Sequence, residues 1–307
     1  MKDLAIIILC YNSRELLEPC LTAVQRTRLC VDATVYVVDN ASSDGTCEYV
    51  RSVFPWSHLI RSHHNGGYSY GNNLALKAAG FPEDPRFRYV MLLNPDAELQ
   101  GDTLRKMIAY MDRHQTIGVL GPKVVLADGT LDKACKRGIP TPQTAFFHFI
   151  GLDRLLPRSR LFGRYNMTFV GEDEIADVDS TVGACQLVRS KAVSHVGLMD
   201  ESFFMYGEDL DLNLRIRQAG YRVVYYPTVV VKHLKGTSTR KDPERMIRSF
   251  HDAMKVFHRK HFAQKHSSQF NWLVYQTINL ICQYKMLQSK LVPRDERVAG
   301  SAPIRRS

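Results

Sequence analysis

Strand–helix alternation predicts an α/β chain with a mostly parallel central sheet flanked by helices, followed by a C-terminal helical extension. Three observations carry that expectation. Leu4–Leu9, Thr34–Val38 and Tyr89–Leu93 are short apolar runs, as expected of strands covered on both faces. The stretches between them have helical spacing, and alternation of this kind implies parallel strands joined by right-handed crossovers. Finally, 45% of the 307 residues are hydrophobic and 23% charged, a balance that builds a packed core rather than a disordered chain.

Each element has a local reason. Leu16–Leu29 reads as a helix with Pro19 in its first turn, where the missing N–H costs nothing. Asp44–Phe54 and Ser69–Ala79 read as helices around a short strand, Leu59–Arg61. Asp102–His114 is a helix with Asp102 as its N-cap. Residues 121–171 carry four prolines (122, 140, 142 and 157) and read as loops with short strands, with a mobile lid as one reading. Thr181–Val188 is a strand, and Leu210–Ala219 a helix closed by Gly220. Tyr221–Tyr226 and Val229–Lys232 read as two strands split by Pro227. Beyond Gly236, the Asp242-Pro243 pair caps a helix with Met246, Ile247, Phe250, Met254, Phe257 and His261 at helical spacing. A second helix covers Phe270–Leu291, and Val298–Ser307 reads as disordered. The division expected is a catalytic domain over 1–235, with nucleotide binding in 1–120 and acceptor binding in 121–235, then a tail over 236–307.

Charge is distributed unevenly. The chain carries 41 Lys and Arg against 31 Asp and Glu, a net of +10. Residues 232–307 hold 16 basic and 5 acidic side chains, so the whole excess sits in the last quarter and the rest is near neutral. A nucleic-acid-binding protein therefore has only the interrupted basic tail in its favour. The tail itself admits two readings: helices packed on the catalytic domain or on a second subunit, or an interfacial segment at an anionic membrane surface. Seven scattered cysteines without a C-x-x-C pair argue against a disulfide framework or zinc site. Neither a signal peptide nor a run of about 20 apolar residues stands out.

Ligands of open α/β sheets bind at the carboxyl ends of strands. Such ends carry Cys10-Tyr11-Asn12, Asp39-Asn40 and Asn94-Pro95-Asp96. An aspartate closing a buried strand can accept from a base or ribose, or simply cap a turn. A carboxylate at Asp96 can hold Mg²⁺ or Mn²⁺ with substrate phosphates completing the shell, or cap a helix. His64–Asn73 is a glycine-bearing loop running into a helix, suited to an anion but weak alone. It is not G-x-G-x-x-G, which argues against a dehydrogenase. A nucleotidyltransferase would want a glycine-rich basic loop after the first strand, and Cys10–Ser13 is not one. Glu208, Asp209 and Asp211 open a helix, where three acids either favour the helix dipole or supply a general base. His233 closes the last strand.

Taken in order, I-I-I-L-C-Y-N, V-V-D-N-A-S-S-D-G-T, N-G-G-Y-S-Y-G-N-N, L-L-N-P-D-A, V-G-A-C, F-M-Y-G-E-D-L-D-L-N-L-R and His233 resemble glycosyltransferase family 2 with the GT-A fold. The resemblance covers about residues 3–235 and is nearest to a rhamnosyltransferase-like subset in which N-P-D stands where other members have D-x-D. It implies that Cys10, Tyr11, Asn12 and Asp39 serve the nucleotide. Asn65, Gly66, Gly67 and Asn72 would line the diphosphate, and Gly183, Ala184 and Cys185 flank the donor sugar. Asp96, beside Asn94, would bind the divalent metal with His233 as second ligand. Asp209 would be the general base, ordered by Glu208 and Asp211. The partners implied are a nucleoside-diphosphate sugar, dTDP-rhamnose first and a UDP- or GDP-sugar next, and a lipid-linked or surface-polysaccharide acceptor. A homodimer and a place at the inner face of the cytoplasmic membrane complete the expectation. The Q-x-x-R-W element and membrane spans of processive members are not found, which favours a single transfer per acceptor.

Overall fold

A computed structural model describes residues 2–234 and 243–291. In chain order the strands are β1 (Lys2–Cys10), β2 (Ala33–Asp39), β3 (His58–Arg61), β4 (Phe87–Leu93), β5 (Ala97–Glu98), β6 (Ile117–Val125), β7 (Ala176–Asp177), β8 (Cys185–Arg189) and β9 (Arg222–His233). The helices are α1 (Arg14–Thr27), α2 (Thr46–Val53), α3 (Gly67–Ala78), α4 (Thr103–Arg113), α5 (Pro142–Phe149), α6 (Leu152–Leu155), α7 (Ser190–Val196), α8 (Glu208–Gln218), α9 (Pro243–His261) and α10 (Ser268–Leu291).

The strands form one sheet in the order β3-β2-β1-β4-β8-β6-β9-β5, with β7 also paired to β9. From β3 to β4 every pairing is parallel. Beyond β4 the sheet is mixed, because β8 runs antiparallel to both β4 and β6. Strand alternation splits the core in two. Leu4, Ile6 and Ile8 face a layer containing Leu17, Leu21, Leu104 and Met107 from α1 and α4. Ala5 and Ile7 face Ala75, Leu76, Ala192, Leu212 and Ile216 from α3, α7 and α8. Both faces are covered, which is why β1 has no polar residue in its interior.

Several expected boundaries move. Helix α1 starts at Arg14, so Pro19 lies inside it rather than in its first turn. Pro19 is solvent-facing, so the Glu15 carbonyl that the missing N–H leaves unpaired lies in reach of water. Asp102 does stand at the N-cap of α4, but its carboxylate pairs with Arg105 and Lys106 instead of the helix N–H groups. The stretch 121–171 is more ordered than a run of loops: it continues β6 and holds α5 and α6. Of the expected Thr181–Val188 strand only 185–188 lies in a strand, which runs on to Arg189. Strand β9 is continuous through Pro227. Tyr226 pairs with Pro122 and Val230 with Lys123, so residues 227–229 bulge out of the ladder. A bulge accommodates a residue that has no N–H to donate.

The C-terminal helices pack on the domain. Ala253 and Phe257 of α9 share a cluster with Phe203, and Ile139, Leu210 and Leu214 pack against it. Lys260 reaches Asp200 at 2.5 Å and Asp211 at 2.8 Å, and His261 reaches Asp211 at 2.8 Å. Helix α10 lies on α9 and buries only Ile278 and Met286, leaving Trp272, Leu273, Leu280, Tyr284 and Leu287 exposed. Among the described residues no helix is long and apolar enough to cross a membrane. The expected tail start at Gly236, the Asp242 cap and the Val298–Ser307 end lie outside the described residues.

Candidate active site

The carboxyl ends of β1, β2 and β4 open onto a cleft of about 1490 Å³. It is lined by Tyr11, Asn12, Asn65, Gly67, Asn94, Asp96, Gly183, Ala184, Glu208, Asp209 and His233 among others. Eleven of the residues expected at the site are thus brought together. The remaining six are not on its wall.

Those six have other tasks. Asp39 is fully buried, accepts from the Ser42 N–H at 3.3 Å and receives the Cys47 thiol at 3.1 Å. The Cys10 thiol donates to the Val38 carbonyl at 3.1 Å. Burial and the nearby Asp39 charge push its pKa well up, so it stays a thiol. Asn72 is buried and donates to the Tyr68 carbonyl within α3. Cys185 is fully buried where β8 begins. Gly66 leaves room for Tyr70, whose ring carbons lie 2.3 Å from where a Cβ would stand. Asp211 turns away from the cleft and is held by Arg215, Lys260 and His261 at 2.8 Å each.

Sheet register builds the pair Asp96–His233. The two-residue strand β5 pairs with β9 so that Ala97 stands opposite His233. Asp96 therefore lies beside that histidine, its Oδ1 3.0 Å from His233 Nε2. The Asn94 amide nitrogen lies 3.5 Å from the same Nε2, and the Asn94 carbonyl oxygen accepts from Tyr68 Oη at 3.3 Å. Burial alone would lower the His233 pKa, but Asp132 and Asp96 together carry it to about 9. Asp96 Oδ1 and His233 Nε2 lie against each other, an oxygen and a nitrogen donor that can hold a divalent cation once His233 gives up its proton, with the remaining ligands from a bound phosphate. Among the described residues no cluster of three or more His, Cys, Asp or Glu could hold a metal without such help.

The opposite wall is the N-terminal turn of α8. Tyr206 and Gly207 both have positive φ, 71° and 81°, which turns the chain sharply into the helix and sets Glu208 and Asp209 on the cleft. Asp209 Oδ2 receives Arg137 at 2.6 Å and the Gly183 N–H at 3.0 Å, while Oδ1 receives the Leu210 N–H at 2.7 Å. Glu208 is buried, and its Oε2 has no hydrogen-bond partner. Burial, reinforced by the Asp209 charge, pushes its pKa up to about 8. Two neighbouring carboxyl groups therefore have unlike surroundings: one is anchored by a cation and amides, the other holds its proton more tightly than an ordinary carboxylic acid and is unpartnered at one oxygen.

The cleft's two sides are tied together by backbone. The Tyr68 N–H donates to the Phe204 carbonyl at 2.6 Å. Gly67 permits that approach: its φ is +90°, and a Cβ there would lie 2.3 Å from the Phe204 oxygen. Its glycine character thus serves loop packing as well as openness to an anion. Sequence reasoning missed Arg137, Asn40 and Tyr68. Arg137 comes from the 121–171 stretch, where no motif marks it. Asn40 donates to Asn65 at 2.9 Å and to the Gly67 carbonyl at 3.1 Å, and its place one residue after Asp39 was the available signal. Tyr68 Oη donates to the Gly183 carbonyl at 3.0 Å and lies inside the loop motif already singled out.

The sheet order and its flanking helices are those of the GT-A fold, and comparison with known proteins places the chain in a family. The sequence model described as glycosyltransferase like family 2 matches residues 2–250. The chain belongs to that family and is a glycosyltransferase. It is 29% identical over 239 residues to an N-acetylglucosaminyl-diphospho-decaprenol L-rhamnosyltransferase of Mycobacterium tuberculosis, covering 76% of each chain. It is 27% identical to the low-salt glycan biosynthesis hexosyltransferase Agl10 of Haloferax volcanii, over 73% of this chain and 64% of that one. The solved structure of Staphylococcus aureus TarS 1-349 in complex with UDP-GlcNAc superposes with a TM-score of 0.53 at 16% identity, covering 90% of this chain and 71% of that one. GalNAc-T7 with UDP, GalNAc and Mn²⁺ superposes with a TM-score of 0.55 at 15% identity, covering 94% of this chain and 58% of that one. These structural likenesses speak to the fold.

Proposed function

We propose that this chain is an inverting, metal-dependent, non-processive glycosyltransferase. It moves one sugar from a nucleoside diphosphate, dTDP-rhamnose being the leading donor, to a hydroxyl of a lipid-linked sugar or surface-polysaccharide intermediate. The observation that carries this reading is the single cleft flanked by Asp96 and His233 on one side and by Glu208 and Asp209 on the other. The rhamnosyl donor and lipid-linked acceptor follow the printed name of the mycobacterial relative.

The chemistry needs a base and a way to offset leaving-group charge. Asp209 accepts the proton of the acceptor hydroxyl as that oxygen attacks the anomeric carbon, and a single displacement inverts the configuration. Arg137 and the Gly183 N–H fix the carboxylate's direction. Glu208, whose burial favours the protonated form, is able to donate a hydrogen bond to the acceptor or donor sugar. The split mirrors a general rule, that two carboxyl groups with divergent environments take unlike roles. Asp96 and His233 would hold a Mg²⁺ or Mn²⁺ together with the donor's phosphates. When bound, the cation would offset the charge developing on the departing diphosphate. Asp39, enclosed behind its turn, is assigned to shaping the nucleotide loop, and Tyr11 and Asn12 contact the nucleotide.

The test is a panel of nucleotide sugars, scored by thermal stabilisation and by metal-dependent hydrolysis with and without EDTA. Stabilisation and hydrolysis by a dTDP-sugar support the reading. A response to UDP- or GDP-sugars alone replaces the donor, and no response to any removes the assignment.

A further inference from the structure

We propose that the apolar arm of the cleft, between α5, α9 and α10, seats the hydrocarbon chain of a polyprenyl-diphosphate-linked acceptor. The proposal rests on the transferase reading of the polar end and adds a site for the part of the acceptor that does not react.

Continuity is the first argument. One cavity runs from Asp209 and Glu208 to Phe146 and Phe149 of α5, Phe250 and Met254 of α9, and Leu273 and Ile281 of α10. The polar end holds the carboxylates, Arg137 and His233, whereas the α5 and α10 walls contribute no charged side chain to the cavity. A sugar acceptor free in water gains nothing from such walls. A hydrocarbon chain gains in proportion to the apolar area it removes from water.

Exposure is the second. Phe146, Phe149 and Ile150 are roughly half exposed, and Leu273 is 56% exposed. Apolar groups clustered beside a reaction cleft mark a ligand groove more often than scattered surface residues do.

Charge complementarity is the third. Arg245 of α9 lines the same cavity, with its guanidinium 4.7 Å from the centre of the Phe204 ring. A cation at the wall of an arm whose α5 and α10 sides carry no charge matches an acceptor whose diphosphate joins sugar to chain. The apolar character also continues outward: Trp272, Leu280 and Leu287 of α10 are exposed, and residues 267–284 contain no charged side chain. A chain embedded in a lipid surface could enter the groove along that helix without crossing water.

The experiment uses the full chain and a farnesyl diphosphate analogue carrying a diazirine at the end of its chain. After photolysis, labelled peptides are mapped by mass spectrometry. Label is expected within α5, α9 and α10, and is expected to fall at least tenfold in the Phe146→Ser/Leu273→Ser double variant. Stabilisation by nucleotide sugar serves as the check that this variant folds. Label spread along the outer face of α10, unaffected by the double variant, overturns the groove in favour of surface adsorption. A concentration-dependent dimer that abolishes labelling overturns it in favour of a second copy of the chain. Label in the groove of a protein that responds to no nucleotide sugar leaves the apolar seat standing and removes the transferase reading instead.

Discussion

At the residue scale, the proposed chemistry turns on two adjacent acids with unlike surroundings. Asp209 is anchored by Arg137 and Gly183, and Glu208 is enclosed without a partner at Oε2. Asp209→Asn is expected to keep donor-induced stabilisation and to lower transfer by about a thousandfold, within the range for losing a general base. Near-normal turnover would reject that role. Glu208 gives a stability signature. Its pKa of about 8 in the folded chain stands above the ordinary 4.5, so between those values the native state holds a proton that the unfolded chain has released. Stability should therefore fall as pH rises from about 4.5 to 8 and level off beyond. Glu208→Gln should flatten that part of the profile, read by thermal denaturation across the window. An unchanged slope would assign the proton elsewhere. Asp96→Ala should erase both the metal requirement for donor hydrolysis and most donor affinity. An unaltered Mn²⁺ titration would refute its ligand role.

At the element scale, the most consequential piece is α8. Its first turn presents Glu208 and Asp209 to the cleft, while its next acid, Asp211, faces the C-terminal helix α9. The 3.6-residue period accounts for Asp209 and Asp211, which are two apart and point to different sides, while Glu208 reaches the cleft from the very first residue of the helix. Asp211 is completely buried and satisfied by Arg215, Lys260 and His261. Removing it leaves cations without their partner in the interior. Asp211→Ala should therefore cost about 3–5 kcal/mol in urea denaturation. A loss under about 1 kcal/mol would show that the network is solvated and weak. Most elements were legible beforehand because their signals are local: apolar runs for β1, β2 and β4, helical spacing for α2, α3 and α4. Those that were not legible depend on partners. Strand β6 carries two glycines and a proline but is held between β8 and β9. The two-residue β5 exists only because β9 lies alongside.

At the scale of the whole molecule, the C-terminal quarter changes meaning. Its charge admitted a packed or an interfacial tail, and α9 closes the cleft with Met246, Phe250 and Met254 and fastens α8 through Lys260 and His261. Deleting residues from 243 onward should abolish donor-induced stabilisation and drive the remainder into aggregates, because Phe203 and the Asp211 carboxylate lose their cover. A soluble truncated protein that still hydrolyses donor would show instead that α9 is an appendage. The exposed apolar face of α10 belongs to a different question, that of the acceptor's chain, and is separable from the fold.

The sequence by itself determined the family, the α/β class, the parallel half of the sheet and the strand ends that carry the site. Each of these is written in local patterning or in ordered motifs. Only the tertiary structure decided which of the candidate residues reach the cleft. It enclosed Asp39, Cys10, Asn72 and Cys185, turned Asp211 toward α9, and brought Arg137 from a stretch without motifs to within 2.6 Å of Asp209. The physical reason is that a motif fixes a residue's type and its element. Its direction and its charge state depend on burial and on neighbours contributed by distant parts of the chain.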